Sequence, residues 1–411
     1  MKIAIANWSN GLFGGVESYL DTLIPALSAR GHSLAFFSEE GPANDRGEIA
    51  LPADPSLNFN AGLRGVSQAI AALKAWKPDV IYVHQILDPD VEKLLSEVAP
   101  AVLFVHSYVG ACISGRKTTS FPAMRPCHRV FGLKCLLHYY PHRCGGWNPV
   151  TMARLFAVQK QRSVHLRAYD LVLTQSEFMC REMSRYTGEA APKTLPLPAN
   201  FESLTPPVRT WRSGDPLRLL FMGRMEDLKG GGIFLEAFPI LRQAFSAPIE
   251  ATFAGDGTLR SDWERQSAML ERRLPEVSIR FSGWLDGAAK VEAYRSHDLL
   301  IVPSIWPEPF GLVGVEAGSL GLPAAAFDVG GIPEWLSDGI SGHLAGADPP
   351  SAASLAAAIV RCFESPAHYQ MLCAGARTVA GRHGLDLHVD RLLGFFSEVL
   401  AKVGTAPEVA F

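Results

Sequence analysis

Glu308 and Glu316 bracket the run Glu308-Pro309-Phe310-Gly311-Leu312-Val313, and the apolar stretch Leu299 to Pro303 precedes them. A short apolar run, a Pro- and Gly-bearing turn and then an apolar-rich stretch read as a buried strand feeding a helix. Glu308 then falls in the loop at the strand's carboxyl end, which is where open α/β sheets bind ligands. Gly311, Leu312 and Val313 would open the helix, and its unpaired N–H groups and positive dipole end suit a phosphate. Glu316 sits in the first turns of that helix, where a carboxylate can accept hydrogen bonds from a diol such as a ribose. Either glutamate alone would pass as a loop acid or a helix-end charge. Together with the Pro-Phe-Gly turn between them, they are hard to explain as packing.

The elements that must position these residues follow from the rest of the chain. Its 411 residues exceed what one core usually serves, and 48% apolar with 19% charged residues is the balance of a globular α/β protein. Strands are expected at Lys2 to Ala6, His32 to Phe37, Val80 to His84, Val102 to His106 and Leu171 to Thr174. Helices are expected near Val16 to Arg30, Leu63 to Trp76, Thr151 to Ala168 and Glu177 to Tyr186. Strands separated by helices imply parallel pairing through right-handed crossovers. The pattern starts afresh with strands at Leu217 to Met222, Glu250 to Ala254, Ser278 to Ser282, Leu299 to Pro303 and Ala324 to Phe327. Residues 1–198 and 217–385 are therefore two Rossmann-like domains, with the proline-rich stretch 199–216 as linker. The last helix, within 386–411, exceeds the second sheet's needs and is free to pack back on the first domain.

The pattern P-S-x-x-x-E-P-F-G-L-V-x-x-E-A from Pro303 to Ala317 resembles the signature of the family 4 retaining glycosyltransferases. That resemblance implies the α/β GT-B fold, two Rossmann-like domains facing a central cleft, and transfer of a sugar from a nucleotide-diphosphate donor. Other positions agree in the same order. Gly223-Arg224 and Lys229-Gly230 look like the family loop whose Arg and Lys hold the donor diphosphate, without a metal. Gly255-Asp256-Gly257 is similar to the turn lining the nucleotide pocket, and Trp284 occupies the position that meets the base. Gly14-Gly15 resembles the glycine loop that closes on the donor phosphate, and His106 the histidine that contacts the donor sugar. Gly330-Gly331 and Glu334 match a glycine pair and a structural Glu. By resemblance Glu308 holds donor-sugar hydroxyls and Glu316 the ribose, while the departing phosphate helps remove the acceptor proton. The resemblance implies no cofactor.

The resemblance is thinnest over 107–148, an irregular insertion too long for an ordinary connection. It carries Cys112, Cys127, Cys135 and Cys144 beside His128, His138 and His142, a set that reads either as a structural zinc site or, in the absence of any C-x-x-C pair, as unpaired thiols. From Val98 to Tyr169 there is no Asp or Glu but ten Lys and Arg, on a chain of net charge −3. A stretch this basic suits an anionic acceptor, a saccharide or a lipid-linked saccharide of cell-surface polysaccharide synthesis, met at a membrane surface. Nothing points to nucleic acid. The N-terminus turns polar before an export core would be complete, and no apolar run approaches about 20 residues, so a cytoplasmic protein is expected, peripheral at most on the membrane's inner face. Two other readings share these residues. A nucleotide-sugar epimerase of the same fold would need no acceptor, and a non-catalytic nucleotide-sugar-binding subunit would need no intact Arg224, Lys229, Glu308 and Glu316. A phosphorylase of this fold would bring a pyridoxal phosphate lysine, and no motif for one is present.

Overall fold

The computed structural model describes residues 1–12, 14–41, 47–188, 191–199 and 204–404. Positions 200–203 of the expected linker and 405–411 of the C-terminal segment lie outside them. The chain divides into two compact units: Met1–Lys117, Arg129–Leu197 and Leu385–Phe411 in one, Thr118–His128 and Pro198–Gly384 in the other.

The first unit runs β1 (Lys2–Ser9), α1 (Gly15–Ala29), β2 (Ser33–Glu40), β3 (Asn58–Asn60), α2 (Ala61–Arg64), α3 (Val66–Trp76), β4 (Val80–Val83), α4 (Pro89–Ser96) and β5 (Ala101–Val105). The two-residue strands β6 (Thr118–Thr119) and β7 (Arg125–Pro126) pair antiparallel and belong to the second unit. The first unit then resumes with α5 (Lys134–Tyr139), α6 (Pro149–His165), β8 (Leu171–Thr174), α7 (Glu177–Met183) and β9 (Lys193–Thr194). Its strands form one sheet in the order β3-β2-β1-β4-β5-β8-β9, every pair parallel. β4, β5 and β8 are buried along their whole length, as strands covered by helices on both faces must be.

The second unit runs β10 (Leu217–Met222), α8 (Gly231–Ala244), β11 (Ile249–Ala254), α9 (Arg260–Arg273), β12 (Val277–Gly283), α10 (Gly287–Ser296), β13 (Leu299–Val302) and α11 (Leu312–Ser319). It continues with β14 (Ala324–Phe327), β15 (Gly342–Ala345), α12 (Ala352–Cys362) and α13 (Pro366–Ala380). The sheet order is β12-β11-β10-β13-β14-β15, again all parallel. In this order successive strands build outward from β10 to one side, then return and build from β13 to the other. The crossovers on either side of the β10–β13 pair diverge there, leaving a crevice at the strands' carboxyl ends.

Three details depart from the sequence expectations, the first being that Thr118–His128, part of the insertion 107–148 expected within the first domain, belongs to the second unit. The helix expected from Leu63 to Trp76 is two helices, broken at Gly65. The described part of 199–216 is tied down: Arg209 donates to the Tyr294 carbonyl at 2.5 Å and also to the His297 carbonyl, and Trp211 is buried against Phe363. The final helix α14 (Leu385–Gly404) is no departure: it belongs to the first unit, on which the sequence left it free to pack, and Phe396 lies edge-on to Tyr82 with ring centroids 5.3 Å apart. No helix is long and apolar enough to cross a membrane among the described residues.

Candidate functional site

In the second unit the carboxyl ends of four adjacent strands carry the residues singled out from sequence. Gly223 and Arg224 follow β10, Gly255 to Gly257 follow β11, Trp284 follows β12, and the loop from Pro303 to Gly311 follows β13. The crevice between β10 and β13 is bridged by one ion pair: Lys229 Nζ lies 2.5 Å from Glu308 Oε1. Ser304, fully buried, donates to the same carboxylate oxygen at 2.7 Å. Lys229 Nζ also stands 5.2 Å from the centre of the Trp306 ring. A lysine anchored by one carboxylate keeps further N–H donors for an incoming anion. Arg224 is exposed and makes no ion pair among the described residues, so its guanidinium stands ready at the same edge.

Backbone packing holds these groups in place. Gly230 takes φ 68°, and a β-carbon there would lie 1.8 Å from the Pro303 carbonyl oxygen, so only glycine lets the β10 loop close on the β13 loop. Leu228 fixes the same approach, its carbonyl accepting from Ile305 N–H at 3.0 Å. Gly330 and Gly331 support the far side: Gly331 N–H donates to the Glu308 carbonyl at 2.7 Å. Phe310 is fully buried and its carbonyl accepts from Trp335 Nε1 at 2.6 Å, so its side chain anchors the loop from below. Pro309 beside it is likewise buried. Gly311 caps α11, whose first turn, Leu312 and Val313 included, carries no acid and no side-chain cap. That leaves an electropositive helix end beside Glu308.

Glu316 is buried inside α11, and both oxygens already have donors: Lys290 Nζ at 2.7 Å and Tyr294 Oη at 2.8 Å. A diol reaching Glu316 must share it with these two side chains. Burial and the adjoining carboxylate raise the Tyr294 phenol well above its ordinary range, so it stays a neutral donor. Lys290, Tyr294 and Ser304 were not found from sequence. The i, i+4 spacing of Lys290 and Tyr294 marks a shared helix face, but not what that face meets. The turn at Gly255 to Gly257 is set by backbone bonds, Gly255 N–H to the Gly283 carbonyl at 2.7 Å and Met225 N–H to the Asp256 carbonyl at 2.8 Å. Asp256 is engaged by Arg260 at 3.5 Å.

The first unit holds the remaining expected residues. Gly14 is the N-cap of α1, and a β-carbon on Gly15 would meet nothing within 4 Å among the described residues. Glu17 sits in the same first turn, buried, accepting from Asn7 Nδ2 at 3.3 Å and Trp8 Nε1 at 3.2 Å; an anion arriving there meets its charge. His106 follows β5. Gln175 Nε2 lies 3.3 Å from the Val105 carbonyl, which orients the amide so that it donates to His106 Nδ1 at 2.6 Å. His106 is then the Nε2–H tautomer and donates to His84 Nδ1 at 2.9 Å, leaving His84 Nε2–H buried without a partner among the described residues. Burial lowers the His106 pKa to about 3 and pulls His84 well below its usual value, so both rings are neutral. A small pocket open to solvent lies beside this pair with Glu92 and Arg162 on its wall. Glu92 Oε2 and Arg162 Nε are likewise buried without a partner among the described residues.

Cys135 Sγ donates to the Val130 carbonyl and Cys144 Sγ to the His138 carbonyl, each at 3.9 Å, and among the described residues no group of three or more His, Cys, Asp or Glu is placed to hold a metal ion.

Two parallel doubly wound sheets, one with its crevice spanned by a Lys–Glu pair, define a two-unit Rossmann-like protein of the GT-B class. Sequence comparison carries this to a family. Residues 216–365 match the model "Glycosyl transferases group 1" and residues 13–195 match "Glycosyltransferase Family 4". The chain is 26% identical to the glycogen synthase of Mycobacterium tuberculosis over 92% of its own length and 89% of that protein's. It is 30% identical to the D-inositol 3-phosphate glycosyltransferase of Geodermatophilus obscurus over 59% of its length and 55% of the other's. Among solved structures, Anabaena HepE in complex with UDP superposes with a TM-score of 0.66 at 18% identity, covering 97% of this chain and 100% of that one. The chain belongs to the family 4 glycosyltransferases of the GT-B fold.

Proposed function

We propose that the protein transfers a hexosyl group from a nucleotide-diphosphate sugar with retention of anomeric configuration, onto a saccharide or lipid-linked saccharide in cell-surface polysaccharide or glycoconjugate synthesis. The observation that carries the reading is the Lys229–Glu308 pair across the β10–β13 crevice, flanked by the exposed Arg224 and the uncapped start of α11. Arg224, Lys229 and the α11 N–H groups offset the charge that develops on the departing diphosphate, a fixed electrostatic arrangement that needs no reorganisation in the transition state. Glu308, held by Lys229 and Ser304, receives hydroxyls of the donor sugar, and Glu316 with Lys290 and Tyr294 receives the ribose. His106 is neutral and both its ring nitrogens are engaged, by Gln175 and by His84, so it must exchange one of those bonds to meet the sugar, by hydrogen bonding and not by charge. The leaving phosphate takes the acceptor proton. The unpartnered donors and acceptor beside His84, Glu92 and Arg162 suit a polyhydroxylated acceptor, and the acid-free cations of 98–169 favour an anionic one.

The test is a thermal-shift panel of UDP, GDP and ADP sugars, with UDP first because the Anabaena neighbour holds it, followed by NMR of the products. A donor at 100 times its Kd stabilises by about 2.7 kcal/mol. The expected outcome is one nucleotide class that stabilises the protein, slow donor hydrolysis abolished by Glu308→Ala, and product of unchanged anomeric configuration. Conversion of the donor to another nucleotide sugar without acceptor, or product of inverted configuration, would overturn the reading.

A further inference from the structure

Four large apolar side chains of the first unit stand in solvent within positions 133 to 150: Leu133 is 75% exposed, Leu137 76%, Trp147 71% and Val150 73%. A single exposed leucine is ordinary, but such a concentration calls for a partner. The segment is well anchored underneath. Tyr139 is fully buried, Phe131 packs on Phe156 with ring centroids 5.3 Å apart, and Phe131 N–H donates to Tyr186 Oη at 2.8 Å. Leu133 and Leu137, four residues apart, share the outer side of α5. Trp147 lies parallel to Tyr140, centroids 5.9 Å apart at 9°, which steadies its exposed indole.

The charge around these side chains has one sign. Lys134, Arg143 and Arg154 are exposed, and Lys134 and Arg154 make no ion pair among the described residues. Acids enter beneath the segment, where buried Glu182 pairs with Lys117 at 3.1 Å, and toward the far end of α6, where Gln161 donates to Asp90 at 2.6 Å and Arg162 faces Glu92 and Glu39. Short apolar knobs on a firm base, ringed by exposed cations and including an indole, match the depth profile of a lipid interface, where hydrocarbon, carbonyl and phosphate layers succeed one another.

We propose that α5 and the start of α6 are a membrane-docking face, seating Leu133, Leu137, Trp147 and Val150 in the surface of an anionic bilayer while Lys134, Arg143 and Arg154 meet lipid phosphates. The benefit of such docking rests on the lipid-linked acceptor proposed above, but its test does not. The full chain is sedimented with sucrose-loaded vesicles of phosphatidylglycerol and phosphatidylcholine in equal parts, and with pure phosphatidylcholine. Two variants are compared, Leu133→Ser/Leu137→Ser/Trp147→Ser and Lys134→Glu/Arg154→Glu, with melting curves to show that these exposed changes leave the fold intact. The expected result is binding to the anionic vesicles only, weakened at least tenfold in each variant. Absence of binding by the parent chain, equal binding by parent and variants, or equal binding to both vesicle types would overturn the proposal. So would a parent that sediments as a dimer and a serine variant that sediments as a monomer without loss of vesicle binding, since the face would then join two copies of the chain. Loss of donor hydrolysis with Glu308→Ala alongside failed vesicle binding would leave the transfer reading standing.

Discussion

Glu308 is gripped from two directions, by Lys229 and by Ser304, so its charge and its position can be separated by mutation. Glu308→Gln keeps a group able to accept from Ser304 but removes the ion pair, and should lower kcat/KM for glycosyl transfer by about 10² to 10³. Arg224→Ala should act differently. The side chain is exposed and unpaired among the described residues, so the melting temperature should hold while nucleotide affinity, read by calorimetry, falls about 10- to 100-fold. Histidines set the acid limit. His84, His106 and His388 have lowered pKa values, His106 to about 3 and His388 to about 4, because burial disfavours their charged forms. Unfolded, each titrates near 6.5, so below that pH the unfolded chain binds protons that the folded chain refuses. Stability is therefore full above about pH 6.5 and lost as pH falls toward 4, by up to about 1.4 kcal/mol per pH unit for each histidine. Denaturant midpoints should hold from pH 7.5 to about 6.5 and then fall toward pH 4.5, less steeply in His388→Gln. Residue types and spacing made Glu308, Arg224 and Lys229 legible in the sequence. Ser304, Lys290 and Tyr294 were not, because a serine after a strand or a lysine on a polar helix announces no target until the fold brings the target near.

Two glycines of the sequence pattern separate structure from ligand at the level of loops and helices. Gly230→Ala drives a β-carbon against the Pro303 carbonyl, and should cost at least about 2 kcal/mol by urea unfolding while spreading the β10 and β13 loops that carry Lys229 and Glu308. Gly15→Ala meets nothing within 4 Å among the described residues, so stability should change by less than about 1 kcal/mol, and a raised donor KM would assign the space above α1 to substrate. The strands were read well where apolar runs are continuous: β8, β10 and β14 begin and end where the sequence placed them. The reading stopped short of β15, Gly342–Ala345, whose Gly and His give little strand signal, and it passed over α4, whose alternation of charged and apolar residues is only eight residues long. Those elements exist because a sheet edge and a crossover require them, a demand that tertiary structure makes and local sequence does not.

At the scale of the molecule, α14 ties the end of the chain into the unit that begins it. His388 donates from Nδ1 to the Pro196 carbonyl and accepts at Nε2 from Tyr19 Oη, each at 2.8 Å, and Phe396 is fully buried. Phe396→Ala should remove about 3 to 5 kcal/mol, and limited proteolysis of that variant should cut the first unit before the second. The amphipathic pattern of Leu387 to Val403 revealed the helix, though not its partners, since an apolar stripe looks alike wherever it docks. This connectivity also bears on synthesis. A ribosome delivers every strand of both sheets before it delivers α14, so the second unit has its full set of residues while the first still lacks part of its core. Until α14 emerges, Tyr19 and Tyr82 are without their cover, and a chain released early would carry a complete second unit joined to a first unit that cannot close its own interior.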